Sequence, residues 1–312
     1  MARRRNPLVQ WLTGMVSIGF GALTARFPLM ASRCLGRVLG RLAYYLVPRV
    51  RRVGLSNLDL AYGEALTRRE KVRILKQAVQ NVGIVAAEFT RIPRLTAVYV
   101  DKYVTFEGLE HIDRTRGGVV IGGHFGNWEW MASAVASRGF KVAEVVRPLD
   151  HAMLDRFVDR TRRAGNVLTV PKAQAGPEIV RLLKEGYLVG LLVDQNPREN
   201  AAPVQFFGRE TWGTIGPAMA AMRARVPVYQ VSMIRKPDGC YAVRFEPEIP
   251  MARSGNLRSD IIENTQRCQG AVERLVRDCP GQWLWFHRRW KARPRLEREW
   301  AARGGPPRDK TM

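Results

Sequence analysis

No carboxylate appears before Asp59, although ten arginines precede it. The shortage of acid continues along the chain, where 28 Asp and Glu stand against 51 Lys and Arg, a net charge of +23. A field of that sign attracts nucleic acid, an anionic bilayer, a phosphorylated substrate or an acidic partner protein. Cysteine is scarce, and none of Cys34, Cys240, Cys268 and Cys279 forms a C-x-x-C pair, which excludes a zinc ribbon and a thioredoxin-like motif. Cys268 and Cys279 fall roughly three turns apart on one expected helix, beyond disulfide reach, so reduced cysteines are expected. The four histidines lack the H-E-x-x-H spacing of a metal ligand set. Neither a metal nor a cofactor is expected. No zinc-finger, RNP or bZIP pattern accompanies the basic residues, so nucleic acid is not the expected partner. There is no internal repeat.

Charge is also missing from Pro7 to Ala25, directly after Arg3, Arg4 and Arg5. That length approaches what a bilayer crossing needs, but the stretch is rich in Gly, Ser and Thr and makes a weak spanning helix. More arginines follow it rather than a cleavage site with an acidic, polar start, which argues against a signal peptide. Arg26, Arg33, Arg37 and Arg41 recur at steps of seven and four, on one helical face. Leu35, Val38, Leu39, Leu42 and Leu46 supply much of the remainder. Such a helix suits a headgroup boundary. Arginine on both sides of the apolar stretch favours a domain kept on the cytoplasmic side of an anionic inner membrane. Residues 1–48 are therefore expected to be a membrane-anchoring or interfacial helical segment.

At 312 residues and 46% hydrophobic, the remainder can bury a sizeable core. Thr67 and Glu70 form a capping box, and the helix they open is expected to stop at Pro93. Thereafter short apolar runs (Tyr103–Phe106, Val119–Ile121, Val142–Val146, Val167–Val170, Leu188–Val193, Val228–Met233 and Tyr241–Phe245) alternate with helical stretches near 127–138, 151–163, 175–186 and 214–225. This alternation predicts an α/β domain over 49–293, with a mostly parallel central sheet flanked by helices. A long helix is expected from Asp260 to Asp278. Residues 294–312 read as a charged, disordered tail.

One segment carries chemistry. Gly122-Gly123-His124-Phe125-Gly126-Asn127-Trp128-Glu129 follows an expected strand and opens an expected helix, and ligands bind at the carboxyl ends of parallel strands. Glu129 falls in the first helical turn, where its carboxylate can meet the His124 imidazole. A carboxylate on one ring nitrogen fixes the tautomer and leaves the other free to take a proton. No Ser or Cys nucleophile adjoins the pair, so the expected chemistry is direct attack by a substrate hydroxyl.

Further blocks follow in order: Asn57-Leu58, Val146-Arg147-Pro148-Leu149, Arg162-Arg163-Ala164-Gly165, Val193-Asp194-Gln195, Val204-Gln205-Phe206-Phe207-Gly208, the Gly213–Ala221 segment and Gln282-Trp283-Leu284-Trp285-Phe286-His287-Arg288-Arg289, ending at Trp290. With the H-x-x-x-x-E motif they resemble the lipid A late acyltransferases, the lauroyl and myristoyl transferases of Gram-negative envelopes, within the glycerolipid acyltransferase-like fold. Phosphatidylinositol mannoside acyltransferases share the pattern more distantly. The chain departs from these relatives at Ala61-Tyr62-Gly63-Glu64, where they usually carry a Phe-Pro-Glu turn. The resemblance implies transfer of a fatty acyl chain from an acyl carrier protein or coenzyme A thioester to a hydroxyl of an anionic membrane lipid, a lipid A precursor or another glycolipid. It implies His124 as base with Glu129 orienting it, Arg147 and Arg162 on anionic groups of the substrates, and Asp194, Gln195 and Asn127 lining the cleft. The glycine-rich backbone beside His124 would stabilise the oxyanion of thioester attack.

Overall fold

A computed structural model of the chain describes residues 7–149 and 151–302. Arg3–Arg5 lie outside these residues. The helical lead-in comprises α1 (Pro7–Arg26), α2 (Leu29–Leu46), α3 (Pro48–Tyr62) and α4 (Arg68–Glu88). Both halves of the Thr67–Glu70 capping box form at the start of α4. A 3-10 turn, Phe89–Arg94, carries Pro93 and ends the helical run. No helix of the described residues is long and apolar enough to cross a membrane.

The seam between α2 and α4 is made of glycine. A Cβ on Gly36 or Gly40 would strike the backbone of Gly83 or Val79, and one on Gly83 would strike Gly36. Close approach of two helices through small residues leaves the large side chains on the opposite face. Met30, Val38, Leu39, Leu42 and Leu46 of α2 are accordingly exposed. Arg26, Arg37 and Arg41 are exposed as the spacing predicts, but Arg33 is not. It is buried, with Nε 2.5 Å from Glu88 Oε1. The same inward turn makes Asn81 and Glu88 part of the buried face of α4.

A short helix α5 (Ala97–Tyr103) leads into β1 (Val104–Glu107). The chain then alternates through β2 (Gly118–Gly122), α6 (Trp128–Ala136), β3 (Val142–Val146), α7 (Ala152–Arg163), β4 (Val167–Pro171), α8 (Ala175–Lys184) and β5 (Leu188–Leu192). A hairpin, β6 (Ala201–Phe206) and β7 (Arg209–Thr214), precedes α9 (Gly216–Ala224), β8 (Val228–Arg235), β9 (Tyr241–Phe245), α10 (Leu257–Asp278) and α11 (Pro294–Ala302). Seven strands form one sheet in the order β1-β9-β8-β2-β5-β3-β4. From β8 to β4 every neighbour is parallel, and the antiparallel β8–β9 pair reverses the edge. All seven expected runs are strands of this sheet, which is α/β and mostly parallel.

The β6–β7 hairpin was not separable from sequence because Phe207 and Gly208 both turn at positive φ (55° and 67°), and only the glycine announces it. Phe206 is fully buried beneath it. The expectation of a disordered tail from residue 294 is corrected. Residues 294–302 form α11, whose Leu296 is buried and whose Trp300 ring lies edge-on to Trp212 at 6.4 Å. Charge concealed the two apolar anchors. Residues 303–312 lie outside the described residues.

Candidate active site

β2 and β5 run side by side with Gly122 paired to Leu192 at their carboxyl ends. His124 and Asp194 each follow two residues later, so the sheet itself delivers them to one point. His124 Nδ1 stands 2.9 Å from Asp194 Oδ1, while Asp194 Oδ2 accepts from the His124 backbone N–H at 2.9 Å and from Trp283 Nε1 at 2.8 Å. An acceptor-only carboxylate at Nδ1 selects the tautomer with its proton there, leaving the lone pair on Nε2. Asp194 is 2% exposed, whereas the His124 side chain keeps 23% of its surface. The acid is sealed in and the base faces out. Trp128 packs edge-on against the imidazole, with ring centroids 5.5 Å apart, and exposed Gln195 places Nε2 at 3.4 Å from His124 Nε2.

The electrostatics agree with that geometry. Burial pulls the His124 imidazole down, but the charge and hydrogen bond of Asp194, with the charge of Glu129, outweigh it and leave the ring a stronger base than usual. Burial pushes Asp194 up, yet the imidazole and the hydrogen bonds it accepts hold it well below the ordinary carboxylate range.

The expectation that Glu129 orients His124 is therefore corrected. Glu129 does sit in the first turn of α6, but it receives a bidentate fork from Arg162 of α7, at 3.0 and 2.8 Å, and a bond from Trp128 Nε1 at 3.0 Å. The planar guanidinium outcompetes a neutral imidazole for a half-buried carboxylate. Arg162 in turn spends its Nε and one Nη on Glu129 rather than on an anionic ligand. Arg147, one residue beyond β3, is exposed.

Asn127 also departs from expectation, because it is fully buried and cannot line a cleft. Its Oδ1 accepts from Trp130 N and caps α6, while its Nδ2 donates to Glu88 Oε2 at 2.7 Å. Glu88 is a buried hub. Its carboxylate also takes the Tyr241 hydroxyl at 2.5 Å and Arg33, and its carbonyl takes Trp130 Nε1. Asn81 Nδ2 holds the Gly126 carbonyl at 2.8 Å. Gly126 has φ 57°, and a Cβ there would collide with the Met233 carbonyl, so glycine is obligatory. The N–H groups of His124, Phe125, Gly126 and Asn127 are all committed, to Asp194, Gly123, Gln282 and Met233. The expected oxyanion role of that glycine-rich backbone is thus not available from these four groups.

The Trp-rich block near the C-terminus props the same loops from behind. Trp283 and Trp285 are buried, and Asn57 of α3 donates to the carbonyls of Trp285 and His287. His287 Nε2 accepts from the Asn196 N–H at 3.0 Å, and burial, reinforced by the Arg289 charge and opposed by that of Asp194, lowers its imidazole to about 4. Among the described residues no group of His, Cys, Asp and Glu is arranged to hold a metal ion. Sequence reasoning missed Asp194 as the partner of His124, Glu88 as the hub and the anchoring role of Trp283. Only the first had a partial signal, a polar residue two positions beyond the end of each of two apolar strands, and it becomes readable only once those strands are known to be neighbours.

The geometry is that of an imidazole oriented by a buried carboxylate at the carboxyl edge of a parallel sheet, an arrangement chemically able to take a proton from a hydroxyl. The comparisons are more particular. Residues 2–292 match the family model of the bacterial lipid A biosynthesis acyltransferases, and the chain belongs to that family. It is 25% identical over 295 residues to the lipid A biosynthesis palmitoleoyltransferase of Escherichia coli (strain K12), covering 91% of this chain and 92% of the relative. It is 26% identical over 305 residues to the lipid A biosynthesis lauroyltransferase of the same strain, with the same coverage. Among solved structures, the 1-acyl-sn-glycerophosphate acyltransferase PlsC of Thermotoga maritima aligns with 77% of this chain and 97% of its own, at 18% identity and a TM-score of 0.35.

Proposed function

We propose that this enzyme carries a fatty acyl group from an acyl carrier protein or coenzyme A thioester to a hydroxyl of a lipid A precursor, with His124 as general base and Asp194 orienting it. The observation that carries this reading is the His124–Asp194 contact at the carboxyl edge of the sheet, within a chain of this family. The acceptor O–H gives its proton to His124 Nε2 as its oxygen attacks the thioester carbonyl. The tetrahedral adduct then expels the thiolate, which takes the proton back from the imidazolium. Asp194 stabilises the imidazolium between those steps without itself becoming protonated. Glu129 and Arg162 form one wall of the site as an internal pair, and Gln195 offers its amide beside the reacting nitrogen.

The acceptor is membrane-bound, and the outer face of α2 supports docking at an anionic inner leaflet from the cytoplasmic side. Its exposed Met30, Val38, Leu39, Leu42 and Leu46 lie next to Arg37 and Arg41, and each basic residue near an anionic surface contributes about 1 kcal/mol. The test is a lipid profile by mass spectrometry after deletion of the gene and after restoring it intact or as His124→Ala. Loss of one acyl chain from lipid A, recovered only with the intact gene, is the expected result. Recovery with His124→Ala would overturn the mechanism.

A further inference from the structure

β5 is a central strand, with β2 on one side and β3 on the other, and such a strand is ordinarily covered on both faces. Gly190 sits in its middle, yet keeps part of its surface open to solvent. A side chain at that position would meet only the Ala143 carbonyl oxygen at 3.6 Å and Glu144 Cγ at 3.8 Å, both ordinary contacts. The register pairs Gly190 with Glu144 of β3, and the two-residue period puts both on the sheet face that also carries Gly122 and Leu192. That face is covered by α6, packed on β3, and by α7, packed on β4. The helical layer thus leaves an opening between α6 and α7 that reaches the centre of the sheet.

The opening belongs to the site. The Arg162–Glu129 pair bridges α7 and α6, and its charges act both on the His124 imidazole and on Glu144. The Glu144 carboxyl forms no hydrogen bond or ion pair among the described residues. Burial pushes it up to about 7, against the pull of Arg162. Glu144 is half-buried, so its carboxyl is open to water until a ligand displaces it, and that ligand must then supply a donor or leave the group unpaired.

We propose that Glu144 is a specificity-determining residue, whose carboxyl accepts a hydrogen bond from a hydroxyl on the lipid chain that enters the opening over Gly190. This rests on the acyl-transfer reading of His124. A plain hydrocarbon in the same place would strip water from the carboxyl and return nothing, so the site discriminates by the bond it withholds. The hydroxyl belongs either to the acyl chain of the donor or to a chain of the acceptor other than at the reacting position.

The full-length enzyme is assayed in two arms. In one, hydroxyacyl and plain acyl thioesters of equal length compete for one acceptor. In the other, acceptors with and without a second chain hydroxyl compete for one donor. The intact enzyme is expected to favour the hydroxylated substrate in one arm by about tenfold in kcat/KM, the upper end of what one hydrogen bond contributes. Glu144→Leu should abolish that preference, Glu144→Gln should keep part of it, and Gly190→Leu, which fills the opening from the neighbouring strand, should abolish it independently of any folding defect at Glu144. A His124-dependent transfer with no preference in either arm, or a preference that survives both leucine variants, would overturn this inference alone. No transfer at all by the intact enzyme would overturn the acyl-transfer reading, and this inference with it.

Discussion

The loop after β5 and the first turn of α6 each bring a carboxylate close to His124, and they commit it in different ways. Asp194 is sealed against solvent and bonds His124 twice, once at the ring Nδ1 and once at the backbone N–H. Glu129 is half-buried and already holds Arg162 by a two-pronged bond. Proximity in sequence favours Glu129, five residues away, while the sheet favours Asp194, seventy residues away. Strand register is the more rigid constraint, because a one-residue slip would turn every side chain of β5 to the other face. The comparison is broken most directly by Asp194→Asn. An amide cannot hold the Nδ1–H tautomer as a carboxylate does, and loss of about 10³ to 10⁴ in kcat is expected. Because the Asp194 charge raises the imidazole, its removal also moves the acid limb of the kcat/KM profile to lower pH. A loss no larger than that of Glu129→Gln would return the orienting role to α6.

Glu129 and Arg162 sharpen the same comparison at a smaller scale. The Glu129 charge raises the His124 imidazole and the Arg162 charge lowers it. Glu129→Gln should therefore shift the acid limb of the kcat/KM profile to lower pH, and Arg162→Met should shift it to higher pH. Each variant is expected to lose about tenfold to hundredfold in rate, the cost of misplacing one wall of a site. Their effects should not add, since the second substitution removes a partner already left alone. Shifts in the same direction would show that the pair acts by position rather than by charge.

How far these features were legible follows from the range of the interactions involved. The strand–helix alternation, the capping box of Thr67 and Glu70 and the glycine-flanked His124 are local patterns, and all stand in the structure. The exchange of partners around His124 is not local. It depends on β2 and β5 being neighbours, which order along the chain does not disclose. Arg33 illustrates the same limit. Its spacing places it with Arg26 and Arg37 on the arginine face of an interfacial helix, but Glu88 lies beneath it, and a buried carboxylate requires a partner. Asn127 was misassigned for a related reason, since its position in a motif of polar residues says nothing about the hub it faces.

The smallest effect expected also separates the two regions, this time through stability. The β5 loop is held by the Asn196 N–H donating to His287 Nε2, a bond that only a neutral imidazole accepts. In the fold the His287 imidazole lies at about 4, against 6.5 when free, so the unfolded chain binds the proton more readily than the folded one between those values. Its contribution is therefore complete above about pH 6.5 and is lost as the pH falls towards 4. His287→Phe should destabilise the protein at neutral pH by about 1 kcal/mol, the scale of one hydrogen bond, and should flatten this part of the acid dependence in urea titrations run between pH 4 and 7. Glu129→Gln should leave that slope intact, because Glu129 does not touch the β5 loop. Equal flattening by both variants would mean that the two carboxylate regions unfold as one unit, and that their separation is confined to the chemistry at His124.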